Sequence, residues 1–462
     1  MSEAMEESVQ KEYFELLKFE SVGADPAKLR DCAQCAMWLK AWLERIGFAV
    51  ELLMPEVKDG KASPPILFAE RKGGEGAPTA LIYGHYDVQP ADPLSEWKTP
   101  PFEPTVVGER VYCRGAQDDK GQTFAFLNGV KDFLGERDAS RRDAETQSGI
   151  NLKVILEGQE ESGSAALMAM APSIRSKLAA DVLLVCDTSA AAELRPSIVA
   201  GLRGVAHFTI RLTGPNRDLH SGEYGGIAPN PAQAIAELVA SLHNPDGSIA
   251  VAGFRDGIEP PSEAERRAAE AAAASEAAYY ADIGCEPVGG QQGKTITQRN
   301  SFEPTIEVNG IHSGYGGAGS KTVIPAEALA KISMRLVPGQ TPKVAMRAVK
   351  RHLEEKCPRG MKLSIEEVNE GAGGFRLPLD SPIFRLAADV LGEMDPRGAV
   401  FQWDGASIPV VSVLREASGA APLIVGWGQA DDRIHSPNES YSFAQFAKAR
   451  EWAVRVLSAL AR

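Results

Sequence analysis

Apolar positions three and four residues apart open the chain. Residues 8–20 predict a short amphipathic helix, and Asp25-Pro26 reads as an N-cap followed by proline at the first helical position. Beyond it Leu29, Cys32, Ala36, Leu39, Leu43 and Ile46 keep helical spacing up to Gly47. The pattern then switches to short, near-continuous apolar runs between turn residues: Ala80–Tyr83, Leu152–Leu156, Val182–Val185, Ile408–Val413 and Leu423–Val425. Such runs are expected of strands buried on both faces. Helical patterns, Thr123–Leu134 among them, separate several of the runs. The fold class expected is α/β, with a mainly parallel central sheet.

The middle of the chain alternates instead. In His207–Leu212, residues Phe208, Ile210 and Leu212 face one way and His207, Thr209 and Arg211 the other; Lys331–Val337 repeats the pattern. A helix beginning at Asn230-Pro231 carries Ile235, Leu238, Val239 and Leu242 on one side. A second helix covers Thr341–Lys356, and Lys362–Val368 offers a further strand. Strands buried on one face and paired with helices predict an inserted α+β domain over 202–370, within a first domain made of 1–201 and 371–462. Gly201-Leu-Arg-Gly204 and Gly371-Ala-Gly-Gly374 read as flexible junctions, and the Ala/Glu-rich residues 263–282 as an exposed helical insertion.

Charge narrows the function classes. Lys plus Arg is 49 and Asp plus Glu is 62, a net charge of −13, which disfavours nucleic-acid backbones as partners. No apolar run approaches the ~18 residues of a membrane helix, and the first residues carry neither the basic nor the apolar region of a signal peptide. Six cysteines in 462 residues do not make a disulfide framework, so the expected compartment is the cytoplasm. Cys32-Ala-Gln-Cys35 has a redox or zinc spacing but lies inside a helical pattern, and is read as two small helix residues.

The candidate chemistry lies where the apolar runs end. Tyr83 is followed by Gly84-His85-Tyr86-Asp87, and Leu156 by Glu157-Gly-Gln-Glu160-Glu161-Ser-Gly-Ser164. Val185 is followed by Cys186-Asp187, and Val425 by a segment reaching Asp431-Asp-Arg-Ile-His435-Ser-Pro437. Open α/β sheets place ligands at these carboxyl ends. Gly115-Ala-Gln-Asp118-Asp119-Lys-Gly121 stands directly before a helix. Together they supply His85, Asp118, Glu161, Asp187 and His435. Two imidazoles and three carboxylates exceed what one catalytic zinc needs, and suit two divalent ions sharing a carboxylate. Of the adjacent pair Glu160 and Glu161, extended backbone would point one at a metal and the other at a water.

Six segments in order make the likeness specific. Gly84-His-Tyr-Asp-Val-Gln-Pro90, Trp97-Lys-Thr-Pro-Pro-Phe-Glu-Pro104, Asp118-Asp-Lys-Gly121, Glu160-Glu-Ser-Gly-Ser164, Asp218-Leu-His-Ser-Gly222 and Lys321-Thr-Val-Ile-Pro325 resemble the M20 family of di-metal peptidases. The resemblance is strongest to its carnosinase-like, cytosolic nonspecific dipeptidase branch, and it spans nearly the whole chain.

The resemblance implies a di-metal catalytic domain and an inserted, ferredoxin-like lid and dimerisation domain. It implies that His85 and Asp187 bind one metal, Glu161 and His435 the other, and that Asp118 bridges them beside a cis peptide to Asp119. Glu160 would be the general base and acid, and Asp87 would orient His85. The lid domain would supply His220, Thr322 and Arg335, with Ser407 facing them across the cleft and His220 reaching a partner's site in a homodimer. The implied cofactors are two divalent ions, zinc before manganese or cobalt, and the implied substrate is a dipeptide. An N-acyl-amino-acid deacylase on the same machinery is the alternative. His312 is read as part of a flexible loop; His207, His243 and His352 as surface or packing residues; Cys113 and Cys186 as small buried residues.

Overall fold

A computed structural model describes residues 5–56, 62–140, 149–405 and 408–462. Two compact units emerge: Met1–Ala200 with Pro378–Gln402 and Val413–Arg462, and Gly201–Leu377 with Trp403–Ser412. Among the described residues no helix is long and apolar enough to cross a membrane.

The first unit begins with helices Glu7–Leu17 and Leu29–Arg45. The Asp25 carboxylate accepts the Ala27 N–H at 2.9 Å, with Pro26 opening a short 3-10 turn that leads into the second helix. Cys32, Cys35, Ala36, Leu39, Trp42 and Leu43 are buried on its inner face. Burial pushes the thiols of Cys32 and Cys35 up to about 12 and about 11, which makes them inert packing groups.

The central sheet includes, in order, Ala49–Leu53, Ile66–Arg71, Asn151–Glu157, Thr79–His85, Val182–Val185, Ala421–Ile424 and Ser197–Leu202. Thr79–His85 is parallel to both its neighbours, and Val182–Val185 is parallel to Ala421–Ile424. The pairings of Ile66–Arg71 are antiparallel. The apolar runs are continuous because both faces of the parallel strands are covered. Helices Lys120–Ser140 and Phe443–Leu460 meet at Gly129, where a Cβ would stand 2.3 Å from the Arg450 carbonyl oxygen. Tyr13, Trp42, Phe124 and Phe446 form an aromatic cluster in the same unit.

The second unit is a four-stranded antiparallel sheet in the order Thr305–Ser313, Glu327–Leu336, Gly204–Thr213, Lys362–Ala372. Phe208 pairs with Ile332, Ile210 with Ala330 and Leu212 with Ala328, so the alternation places all six on one face. Ile235, Leu238 and Val239 of helix Pro231–Ala240 and Val349 and Leu353 of helix Pro342–Lys356 share that core. His207 lies opposite Ser333, and Arg335 opposite Val205 and Thr305.

Three expectations need correction. Ile408–Val413 is not a strand: Pro409–Ser418 is a helix that buries Val410, Val411 and Leu414, and a short apolar run carries too few turns to fix its period. The Gly201–Gly204 and Gly371–Gly374 segments are largely strand rather than loop: Gly201 and Leu202 end strand Ser197–Leu202, Gly204 opens Gly204–Thr213, and Gly371 and Ala372 end Lys362–Ala372. Gly204 is glycine because a Cβ there would lie 2.4 Å from the Ala372 carbonyl oxygen. Residues 263–282 are helical and mostly exposed, as expected, in two helices, Glu263–Ala272 and Glu276–Ile283, each capped by a serine, with Glu265 and Ala269 buried. His312 lies not in a loop but on the exposed end of strand Thr305–Ser313.

Candidate metal centre

The candidate ligands read from the sequence lie at a strand end, in His85, or in turns and loops, in Asp118, Glu161, Asp187 and His435. His85 is the last residue of strand Thr79–His85 and is buried. Its Nδ1 lies 3.1 Å from the Asp87 carbonyl oxygen and 3.3 Å from the Asp87 carboxylate. That bond places the proton on Nδ1 and leaves Nε2 as a lone pair. Nε2 is buried with no hydrogen-bond partner, 3.2 Å from Asp118 Oδ1 and 3.8 Å from Asp187 Oδ2.

Asp118 turns its other oxygen the opposite way. Oδ2 stands 3.0 Å from His435 Nε2, which is itself 3.1 Å from Glu161 Oε2. One carboxylate therefore offers an oxygen to each imidazole, with Asp187 beside the first and Glu161 beside the second. The Asp118–Asp119 peptide is cis. Ligand-type atoms of Asp118, Glu161 and His435 lie within 4.8 Å of one another, as do those of His85, Asp119 and Asp187. Asp119 was not foreseen as a neighbour of the first group; its Oδ2 accepts the His85 N–H at 3.2 Å and the Thr123 hydroxyl at 2.6 Å.

The two glutamates sit together in a turn rather than in extended backbone. Glu160–Ser162 is a 3-10 turn whose first two N–H groups, of Glu160 and Glu161, donate to the Asp87 carboxylate at 3.1 and 3.2 Å. Glu161 Oε2 also accepts from Gln89 Nε2 at 2.8 Å. Asp87 thus fixes both the ring of His85 and the backbone of the glutamate pair.

The electrostatics fit divalent cations. Burial, with Asp118 and Glu161 adding to it and His85 opposing, pushes Asp187 up to about 7. Burial likewise raises Glu160 well above the ordinary carboxylate range. Against its own burial, the neighbouring imidazoles of His435 and His85 hold Asp118 low. Bonds to Asp118 and Glu161 raise His435 to about 10. Asp118, Asp119, Glu160, Glu161 and Asp187 face two imidazoles, an excess of negative charge that bound cations neutralise. The unpartnered Nε2 of His85 and the split orientation of Asp118 match two such ions.

Sequence reasoning missed Glu439. It is fully buried four residues beyond His435, and its carboxylate takes the N–H groups of Gly115, Gln117 and Asp118 and the Arg114 guanidinium. The only signal was its place in His435-Ser-Pro-Asn-Glu439.

In the second unit His220 and Thr322 come together. Leu219–His220 pairs with Val323–Ile324, and the Thr322 hydroxyl lies 3.4 Å from His220 Nε2. His220 Nδ1 accepts the Gly222 N–H at 3.1 Å, so the neutral ring carries its proton on Nε2. Arg335 projects from strand Glu327–Leu336, half-buried; burial lowers its pKa and Asp404 opposes that. Ser407 lies outside the described residues.

Comparison with known proteins identifies the family. A model of the peptidase dimerisation domain matches residues 200–361. Beta-Ala-His dipeptidase of Rattus norvegicus is 30% identical over 404 residues, covering 85% of this chain and 79% of the relative. Cys-Gly metallodipeptidase of Schizosaccharomyces pombe is 29% identical over 397 residues, covering 83% and 80%. The crystal structure of an M20 family metallo-carboxypeptidase from Sulfolobus solfataricus superposes with a TM-score of 0.86 at 26% identity, over 99% of this chain and 100% of that one. Human carnosine dipeptidase 1 superposes with a TM-score of 0.79 at 25% identity, over 98% and 97%. The chain belongs to the M20 family of metallopeptidases, with carnosinase-like dipeptidases among its relatives.

Proposed function

We propose that this enzyme hydrolyses the peptide bond of dipeptides with the help of two divalent ions that its own residues would hold. The observation that carries the reading is Asp118, whose two oxygens face two different imidazoles. His85 and Asp187 would hold one ion, Glu161 and His435 the other, and Asp118 both. Zinc suits these donors best, and manganese or cobalt would be tolerated. When bound, such ions lower the pKa of water and polarise the scissile carbonyl. Glu160 takes the water's proton and returns it to the leaving amine. Its buried position favours the protonated form, which suits the second half of that transfer. Asp87 keeps the His85 proton on Nδ1. The compartment we assign is the cytoplasm, where the buried thiols of Cys32, Cys35, Cys113 and Cys186 stay reduced.

The second unit supplies recognition and, in this reading, dimerisation. Arg335 holds the substrate's terminal carboxylate, with Thr322 and Ser407 completing the polar wall. The test is turnover of a panel of dipeptides, their C-terminally amidated analogues and N-acyl amino acids by metal-loaded protein. Free dipeptides are the expected substrates; preference for N-acyl amino acids would make the enzyme a deacylase instead. Arg335→Lys exchanges a bidentate fork for a point charge. It should lower kcat/KM for free dipeptides by about 10–100-fold, the equivalent of the ~1.5–3 kcal/mol of a charged hydrogen bond. Equal turnover of free and amidated dipeptides by the wild type would remove Arg335 from this role.

His220 of the partner subunit would donate its Nε2–H to the developing oxyanion, a contribution of about 10²–10³ in rate. The check is complementation between His220→Ala and Glu160→Gln proteins under subunit exchange. A heterodimer then contains one site with intact Glu160 that receives an intact His220. At equal mixing, roughly a quarter of wild-type activity should return, because half the dimers are mixed and each has one complete site. Demonstrated heterodimers without recovered activity would place His220 in its own chain's chemistry or in none.

A further inference from the structure

We propose that Glu439 is the positioning residue of this centre: its buried carboxylate clamps the backbone of the Asp118 loop and so sets the shared ligand against His435. The inference rests on the reading of Asp118 and His435 as metal ligands, and assigns a role to a residue that touches neither metal nor substrate.

The geometry is a complete cradle. Glu439 Oε2 accepts from Arg114 Nη1 at 2.7 Å and from the Gly115 N–H at 2.9 Å. Oε1 accepts from the N–H groups of Gln117 at 3.0 Å and Asp118 at 3.1 Å. Four donors on one carboxylate leave no room for an exchange of acceptor for donor. The amide of glutamine would point two hydrogens at two N–H donors, whichever way it turned. Glu439 also belongs to the His435 segment, so the same side chain joins two ligand-bearing stretches more than 300 residues apart in sequence.

The His435 segment needs such an anchor. Arg433, His435 and Asn438 all have positive φ, at 59°, 58° and 67°. Non-glycine residues keep this conformation only where surrounding bonds over-determine it. Asp432 accepts the Gln429 N–H at 2.6 Å on one side. On the other, the Asn438 side chain bonds the Lys98 N–H and the Glu96 carbonyl, both at 2.8 Å. Glu439 follows directly, and its carbonyl oxygen accepts the Cys113 N–H at 3.1 Å. The strained turn that presents His435 is pinned to the stretch that presents Asp118.

The experiment is zinc affinity of the metal-free protein, measured by chelator competition, together with the melting temperature of that metal-free form. Glu439→Gln should bind zinc about 10–100-fold more weakly, as loss of a ligand's supporting partner does elsewhere. Arg114→Met breaks the same buried ion pair but leaves the three backbone bonds, and should keep wild-type zinc affinity. A merely structural carboxylate would lower melting temperature in both variants and zinc affinity in neither; that result overturns the proposal. If Glu439→Gln does not fold, Glu439→Asp is measured instead. It keeps the charge but withdraws the acceptors by one methylene, and should lose at least about 10-fold in affinity; wild-type affinity would overturn the proposal. Asp118→Asn is the control. If it binds zinc as the wild type does, the metal assignment itself has failed, independently of Glu439.

Discussion

Glu160→Gln protein is expected to purify with its full complement of metal and to turn over dipeptides about 10²–10⁴-fold more slowly, the range for loss of a general acid–base group. The substitution keeps the shape of the side chain. It also leaves the turn intact, because that turn hangs on the Asp87 carboxylate through backbone N–H groups of Glu160 and Glu161. The neighbouring change has the opposite signature. Glu161 Oε2 lies 3.1 Å from His435 and receives the Gln89 amide at 2.8 Å. Glu161→Gln should therefore lose metal first and activity as a consequence. Metal analysis beside steady-state kinetics separates the two; finding the phenotypes exchanged would reverse the assignment of the pair.

Asp118→Ala should go further and empty both positions. Among the described residues no other carboxylate pairs with both imidazoles: Asp187 is near His85 and Glu161 is near His435. Without Asp118 each half keeps one histidine and one carboxylate, fewer than the three protein ligands usual for a catalytic zinc. Asp119 does not replace it as the shared ligand, because its ligand-type atom groups with those of His85 and Asp187 and not with that of His435. Metal content should fall from two ions per chain towards none, with activity at background. Retention of two ions and normal turnover would exclude Asp118 as the shared ligand.

The centre was legible in the sequence because buried parallel strands are continuously apolar, so the first polar residue after each stands out. His85 and Asp187 follow such runs directly. The second unit was legible for a related reason: one covered face leaves alternation, as in Phe208, Ile210 and Leu212. Strand Thr305–Ser313 was not read because most of its residues are exposed and its register shifts between Val308 and Gly310. Pro409–Ser418 was mistyped because its apolar residues are contiguous. The supporting groups were hidden differently. Glu439 and Asp119 act through bonds to distant backbone, and no spacing along the chain encodes which amides a buried carboxylate will meet.

The position of His435 has a consequence for biosynthesis. The chain leaves the first unit after residue 200 and returns to it at 378, and His435 lies beyond that return. A chain that emerges from the ribosome in order presents His85, Asp118, Glu161 and Asp187 with the whole second unit still to be made. Asp118 then has one imidazole partner and gains the other only after that long excursion closes, a contact of the kind that forms slowly. On the proposed reading, binding of both ions would therefore come late in maturation, and nascent chains stalled before residue 435 would offer a half-built, acid-rich pocket to whatever cations the ribosome's surroundings supply.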